Sequence, residues 1–146
     1  MTDTRALLRR TAELAADFLD SLEERPVFPH VSVEELRATL GVPLQHEPLD
    51  PAQVVEELAA AAEPGLVAMP SGRYFGFVIG GGLPAALAAD WLTSTWDQNA
   101  GLYVGGPSAS VIEEVVREWV CDLLGLPPDS SIGLRPFFSR RSKSCL

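Results

Sequence analysis

Prolines and glycines divide this chain into five segments, each with the apolar spacing of an amphipathic helix. The chain has 146 residues, of which 12 are proline and 12 are glycine. Proline lacks an amide proton and glycine readily adopts left-handed turns, so both residues end helices. The recurrence of apolar residues every three to four positions predicts helices over 4–24, 32–41, 50–63, 84–98 and 107–124. No convincing series of strands accompanies them, so we expect a mostly helical chain.

Capping signals mark several of these helix ends. Ser32 and Glu35 have the spacing of a capping box, in which each side chain bonds the backbone amide of the other residue. Asp50 followed by Pro51 is typical of an N-cap and a first helical turn. Gly125 favours the end of the last helix. These signals predict where the helices begin and end.

Apolar stripes on the helices require surfaces to cover them. In the third predicted helix we expect Val54, Val55, Leu58 and Ala62 to be buried. The stripe of the last helix is wide and consists of Val111, Ile112, Val115, Val116, Trp119, Val120, Leu123 and Leu124. The first helix carries leucines on two sides, and the extended segment 25–30 also needs a surface to lie on. We therefore expect part of the covering surface to come from outside this chain.

Charge and composition exclude several classes of protein. The net charge of −9 argues against binding to nucleic acid, which requires basic patches. No apolar run approaches the roughly 20 residues that cross a bilayer, and the N-terminus lacks the pattern of a signal peptide. Cys121 and Cys145 form neither a disulfide framework nor a metal motif. A cytoplasmic protein with no membrane partner and no metal is expected.

The charge is distributed unevenly along the chain. Residues 1–133 contain all 20 acidic residues, 7 arginines and no lysine, whereas residues 134–146 contain four basic residues and no acidic one. The single lysine of the chain is Lys143. A shift of this kind within 13 residues indicates a basic tail of different origin from the rest. A frameshift or truncation after Gly133 is the favoured interpretation, and a natural basic tail is the alternative.

The sequence between Arg73 and Asn99 resembles one enzyme family. RYFGF and a glycine run are followed by LPAALAADWLTSTWDQNAGLY and then by an apolar helix ending in LLGLP. This order is similar to that of the group II pyridoxal-phosphate-dependent decarboxylases, which include the aromatic amino-acid, histidine and glutamate decarboxylases. The resemblance extends over about residues 4–133. It implies an amino-acid substrate, the cofactor pyridoxal phosphate and removal of the α-carboxylate.

The resemblance also implies a fold and a division of the chain. The family has the α/β fold of type I pyridoxal-phosphate enzymes and forms dimers. Residues 1–65 would be the helical segment that wraps the dimer partner, residues 66–133 the start of the large domain, and residues 134–146 the aberrant tail. This chain would hold the N-terminal helices and the beginning of that domain.

The family places two segments near its substrate. Residues on the substrate side or at the cross-subunit contact correspond here to Phe77, Val78, Ile79, Gly80, Asn99 and Gly101. Plainer interpretations are open for each of them. Gly80–Gly82 could hold an anion before a helix, but a tight backbone turn is favoured, and Phe77 could belong to the core. Asn99 could simply end a helix.

The resemblance also shows which chemistry this sequence lacks. Pyridoxal-phosphate enzymes need a lysine for the Schiff base, an acid beside the pyridine nitrogen and a phosphate-binding turn, and the family carries all three after the point that matches Gly133. Here the sequence departs at that point. We therefore expect a decarboxylase fragment with no catalytic or cofactor-binding residue of its own. A non-catalytic helical module that pairs with full-length subunits, or a related aldehyde synthase, is the alternative.

Overall fold

The computed structural model describes residues 3–99 and 101–133, which form two units, residues 3–84 and residues 85–133. The first unit contains α1 (Thr4–Asp20), α2 (Val33–Leu40) and α3 (Pro51–Ala62), and the second contains α4 (Pro84–Trp96), which begins at the boundary, and α5 (Pro107–Leu124). Single 3-10 turns follow at Ser21–Glu23, Glu63–Gly65 and Tyr103–Gly105. Within these described residues there is no strand, only an isolated bridge between Gly76 and Ile79. The predicted helical character is confirmed.

The helix ends have the predicted caps. The Ser32 hydroxyl accepts a hydrogen bond from the Glu35 amide at 3.2 Å, and the Glu35 carboxylate accepts one from the Ser32 amide at 2.8 Å. The Asp50 carboxylate accepts hydrogen bonds from the amides of Ala52 and Gln53. Gly125 has φ +62° and closes α5 in the left-handed conformation that glycine tolerates best. These caps fix the bounds of α2, α3 and α5.

In the first unit, α3 packs against both α1 and α2. The Arg10 guanidinium pairs with Glu56 across α1 and α3. Val54 is 45% exposed and Leu58 is 60% exposed, whereas Val55 and Ala62 are half-buried. None of the four residues of the predicted stripe is buried, so that prediction is wrong. Glu56, and not Val54 or Leu58, lies on the side of α3 that faces α1.

The Arg10–Glu56 pair is expected to contribute to the stability of the first unit in a pH-dependent way. The hydrogen bond from Arg10 lowers the pKa of Glu56 below its ordinary value of 4.5. A carboxyl whose pKa is lowered on folding stabilises the fold above its unfolded pKa, and this contribution is lost as the pH falls through the folded pKa. We expect Glu56→Gln to reduce helix content at pH 7. Below about pH 4.5, the variant should lose less helix content with falling pH than the unmodified chain does. Far-UV circular dichroism during an acid titration measures both effects.

Glu57→Gln is the matched control for this titration, because Glu57 lies on the same helix and its carboxylate accepts a hydrogen bond from Gln53 rather than from an arginine. Its acid titration should follow that of the unmodified chain. If Glu56→Gln loses helix content in acid just as the unmodified chain does, the Arg10–Glu56 pair is not the source of the pH dependence.

Few side chains are buried in either unit. Among the described residues the buried apolar side chains are Ala68, Tyr74 and Cys121, and no large side chain is fully buried. On α5, Trp119 is 64% exposed and Leu123 is 80% exposed. None of the described helices is both long and apolar enough to cross a membrane. The apolar stripes of the helices therefore remain open within each unit.

Candidate functional site

The segment Tyr74–Gly82, called the glycine-aromatic loop below, is anchored at its base in the first unit. The Tyr74 side chain is 7% exposed, and its ring lies 5.7 Å from that of Phe28. The Gly81 amide donates a hydrogen bond to the Met69 carbonyl at 3.1 Å. Phe28 belongs to the extended segment that the sequence expected to lie on a surface, and Tyr74 provides part of that surface. The base of the loop is thus held by packing and by backbone hydrogen bonds.

The tip of this loop is strained and exposed. The Ile79 amide donates to the Gly76 carbonyl at 3.1 Å across a four-residue turn. Its two central residues, Phe77 and Val78, have φ values of +52° and +54°. Positive φ at both central positions is the pattern of a type I′ turn, which favours asparagine and glycine and disfavours bulky or β-branched residues. Phe77 is 85% exposed, so no contact in the unit offsets the strain. Strain of this kind, left unrelieved on a surface, is typical of functional segments.

Replacing the strained pair with the residues that the turn favours is expected to stabilise the tip. In Phe77→Asn/Val78→Gly the positive φ values no longer cost about 1–3 kcal/mol per residue, so the turn should open less often. The Ile79 amide, which closes the turn, should then exchange with solvent about tenfold more slowly by NMR, equivalent to about 1.4 kcal/mol. Phe75→Asn, which changes an exposed aromatic residue outside the two central positions, should leave that rate unchanged. Equal or faster exchange in the double variant would mean that the turn is not strained.

Gly80 is required by the shape of the loop. Its φ is +109°, and a Cβ at this position would lie 2.7 Å from Cδ1 of Tyr74 and 2.9 Å from the Met69 carbonyl oxygen. Both the backbone conformation and the space therefore exclude a side chain. Since the neighbouring Gly81 amide is bonded to Met69, the geometry favours a tight turn over an anion-binding site.

In the second unit, Asn99 organises the turn that precedes α5. Its side-chain oxygen accepts a hydrogen bond from the Gly101 amide at 2.8 Å. A Cβ on Gly106 would lie 2.7 Å from the Asn99 carbonyl oxygen, so the chain passes close to Asn99 a second time. Between these two contacts, Tyr103 and Val104 are 65% and 87% exposed. The arrangement fixes the backbone of the turn and leaves its apolar side chains open.

The predicted site residues therefore fall into two groups. Phe77, Val78, Ile79 and Gly80 share one loop of the first unit, and Asn99 and Gly101 share one turn of the second. The sequence did not reveal that Tyr74 anchors the loop, although its position at the start of the loop was a usable signal. Trp96 is 58% exposed, and both histidines lie on the surface. The described residues contain no group of three or more histidine, cysteine or acidic side chains suited to a metal.

The chain is similar in sequence to known enzymes. No family model matches it. Tryptophan decarboxylase 1 of Oryza sativa is 28% identical over 129 residues, covering 86% of this chain and 24% of the relative. Aromatic-L-amino-acid decarboxylase of Rattus norvegicus is 27% identical over 128 residues, again covering 86% of this chain and 27% of the relative. The chain is a homologue of the N-terminal region of group II pyridoxal-phosphate-dependent decarboxylases.

A solved decarboxylase structure agrees with this relationship. The crystal structure of Oryza sativa TDC with pyridoxal phosphate and tryptamine matches with a TM-score of 0.76 and 25% identity, over 86% of this chain and 26% of that chain. The helical structure described above therefore matches the helices of the corresponding part of that decarboxylase. This chain spans about a quarter of the length of the decarboxylases that it matches.

The described residues do not provide a site for pyridoxal phosphate. No lysine occurs among them, since the only lysine is Lys143, which lies outside the described residues together with the rest of the basic tail. The glycines before α4 are the best place for a phosphate, but the Gly81 amide is bonded to Met69 and Pro84 has no amide proton.

Proposed function

We propose that this chain is the N-terminal part of a pyridoxal-phosphate-dependent amino-acid decarboxylase, a carboxy-lyase, and that it has no catalytic activity alone. The observation that carries the proposal is the agreement of sequence and structure with decarboxylases over 86% of the chain. The matched relatives act, by their names, on tryptophan and other aromatic amino acids, so an aromatic amino acid is the proposed substrate class. In the complete enzyme, the bound cofactor would accept the electron pair released when carbon dioxide leaves.

In this proposal the glycine-aromatic loop forms part of the substrate side of the site. Phe77, Val78 and Ile79 would form an apolar wall, and Asn99 with Gly101 would shape a second segment near the site. The exposed and strained tip supports this role, because its side chains make no contact in the unit that explains why they are kept in an unfavourable turn. An apolar wall suits an aromatic side chain, which gains from removal of its ring from water.

The division of the chain is proposed on the same basis. Residues 1–65 would cover a dimer partner, residues 66–133 would begin the large domain, and residues 134–146 would be a frameshifted or truncated tail. The DNA that follows the Gly133 codon is the direct test. Another reading frame is expected to encode a phosphate-binding turn with glycine and threonine and, further on, a lysine motif. The protein extended in that frame should release carbon dioxide from an aromatic amino acid. Absence of both motifs from every frame would contradict the proposal.

The 146-residue chain is expected not to bind pyridoxal phosphate covalently. Schiff-base formation in enzymes relies on a lysine held in a site that lowers its pKa, and no such lysine occurs in the described residues. Borohydride reduction with a small excess of the cofactor, followed by peptide mapping, should give only a minor adduct shared between Lys143 and the N-terminal amine. Lys143→Arg separates these two sources. A stoichiometric adduct on Lys143 would contradict the expectation.

A second candidate function is a non-catalytic helical module that pairs with a full-length decarboxylase subunit. The open stripe of α5 and the exposed leucines of α1 and α3 favour it, because apolar patches of this kind mark protein interfaces. Co-expression with a tagged full-length decarboxylase separates the candidates. A stable hetero-oligomer that forms although the downstream DNA has no decarboxylase motifs would favour the module.

A further inference from the structure

Arg73 connects the glycine-aromatic loop to the end of α1. Its Nη2 donates hydrogen bonds to the carbonyl oxygens of Leu22 and Arg25, both at 2.7 Å. These carbonyls lie in and just after the 3-10 turn that ends the first helix, where backbone carbonyls lack helical partners and carry partial negative charge. One cationic group therefore satisfies two carbonyls that belong to a distant part of the sequence.

The backbone around Arg73 is fixed by further contacts. The Arg73 amide donates to the hydroxyl of Ser71, a residue that is only 6% exposed, at 3.1 Å. The Ala68 amide donates to the Val27 carbonyl at 2.9 Å, and the Tyr74 amide donates to the Ser71 carbonyl at 3.1 Å. These bonds hold the stretch of chain that enters the loop, but none of them reaches the exposed tip beyond Tyr74. The Arg73 side chain adds a contact with α1 just before Tyr74, whose buried ring packs on Phe28.

We propose that Arg73 is a positioning residue that sets the direction in which the tip, residues 75–79, leaves the first unit. The inference rests on the proposed function, in which this tip forms the substrate-side wall. The tip has little packing of its own, since Phe75 is 89% exposed and Val78 is fully exposed. Its placement therefore depends on its base, and Arg73 joins that base to α1 through two charge-assisted hydrogen bonds. Without them the base would be held only by the packing of Tyr74 and by backbone hydrogen bonds such as that of Gly81 to Met69, so the tip should be placed less firmly.

Hydrogen exchange with mass spectrometry on the full 146-residue chain tests this role, with Arg73→Met, Arg73→Lys and Arg37→Met compared with the unmodified chain. Arg37→Met is the matched control, because Arg37 lies in the same unit, its side chain is 77% exposed and its ion pair with Glu34 is long, at 3.9 Å. Arg73→Met should accelerate exchange in peptides covering residues 74–82 about tenfold and leave α1 and α3 unchanged. Arg73→Lys should restore part of the protection, because an ammonium group can still donate to two carbonyls.

Three results would overturn the proposal. The first is a loop that exchanges at the same rate in Arg73→Met as in the unmodified chain. The second is exchange in α1 and α3 that accelerates as much as exchange in the loop. The third is a loop that exchanges as fast in Arg73→Lys as in Arg73→Met. The second result would assign Arg73 to general stability rather than to the placement of the loop. Because the measurement requires neither cofactor nor turnover, failure of this inference leaves the proposed function intact. Failure of the extended protein to release carbon dioxide would likewise leave the exchange result standing.

Discussion

Gly80→Ala is expected to open the glycine-aromatic loop in most molecules. Two separate costs combine at this position. A residue with a Cβ at φ +109° is strained by about 1–3 kcal/mol. The new methyl group would also lie within 3 Å of the Tyr74 ring and of the Met69 carbonyl oxygen, and overpacking of this kind costs roughly 1–3 kcal/mol more. The ring of Tyr74 or the backbone of Met69 must move, and both hold the base of the loop.

Neighbouring glycines separate these two costs. Gly81 has φ +73°, but a Cβ added there would meet nothing within 4 Å, whereas Gly82 has neither a positive φ nor a close neighbour. The expected order of disruption is therefore Gly80→Ala, then Gly81→Ala, with Gly82→Ala unchanged. Hydrogen exchange of the amide of residue 81, which is bonded to the Met69 carbonyl at the base of the loop, measures it. Exchange should be at least tenfold faster in Gly80→Ala. Equal rates in all three variants would show that the loop has no fixed conformation.

Much of the fold was predictable because helix signals are local. Ser32 with Glu35, Asp50 with Pro51, and Gly125 each act within one helical turn, and the caps formed where these residues predicted them. Which side of α3 faces α1 was not predictable in the same way. That side carries Glu56, which pairs with Arg10 46 positions away in the sequence, and no local pattern indicates that these two residues meet.

The candidate site was predictable only in part. The resemblance predicted that Phe77, Val78 and Ile79 lie in one segment near the substrate, and this role stays a prediction, but the strain at Phe77 and Val78 is a property of backbone angles that a sequence does not display. The hydrogen bonds from Arg73 to the end of α1 join residues about 50 positions apart in the sequence. No local pattern predicted them either. Asn99 does not end a helix, because α4 stops three residues earlier at Trp96, and its hydrogen bond from Gly101 instead shapes the following turn.

The isolated chain is expected to self-associate and to melt without a sharp transition. Among the described residues no large side chain is fully buried, and Trp119 and Leu123 of α5 are 64% and 80% exposed. Burying a large apolar side chain contributes about 1.5–3 kcal/mol, and ordering each residue costs roughly 1–2 kcal/mol in backbone entropy. With so few side chains buried, this contribution is small within either unit. Association of the open stripes is the simplest way to remove them from water.

Light scattering after size-exclusion chromatography, with a thermal melt, measures both properties. Trp119→Gln/Leu123→Gln, which makes the exposed face of α5 polar, should shift the chain toward a monomer. Glu114→Gln, on the same helix, should not, because it removes no apolar surface. A compact monomer that unfolds cooperatively above about 60 °C, the upper range of ordinary domains, would contradict the expectation. The chain would then close its own core, and the independent helical module would become the better description of its function.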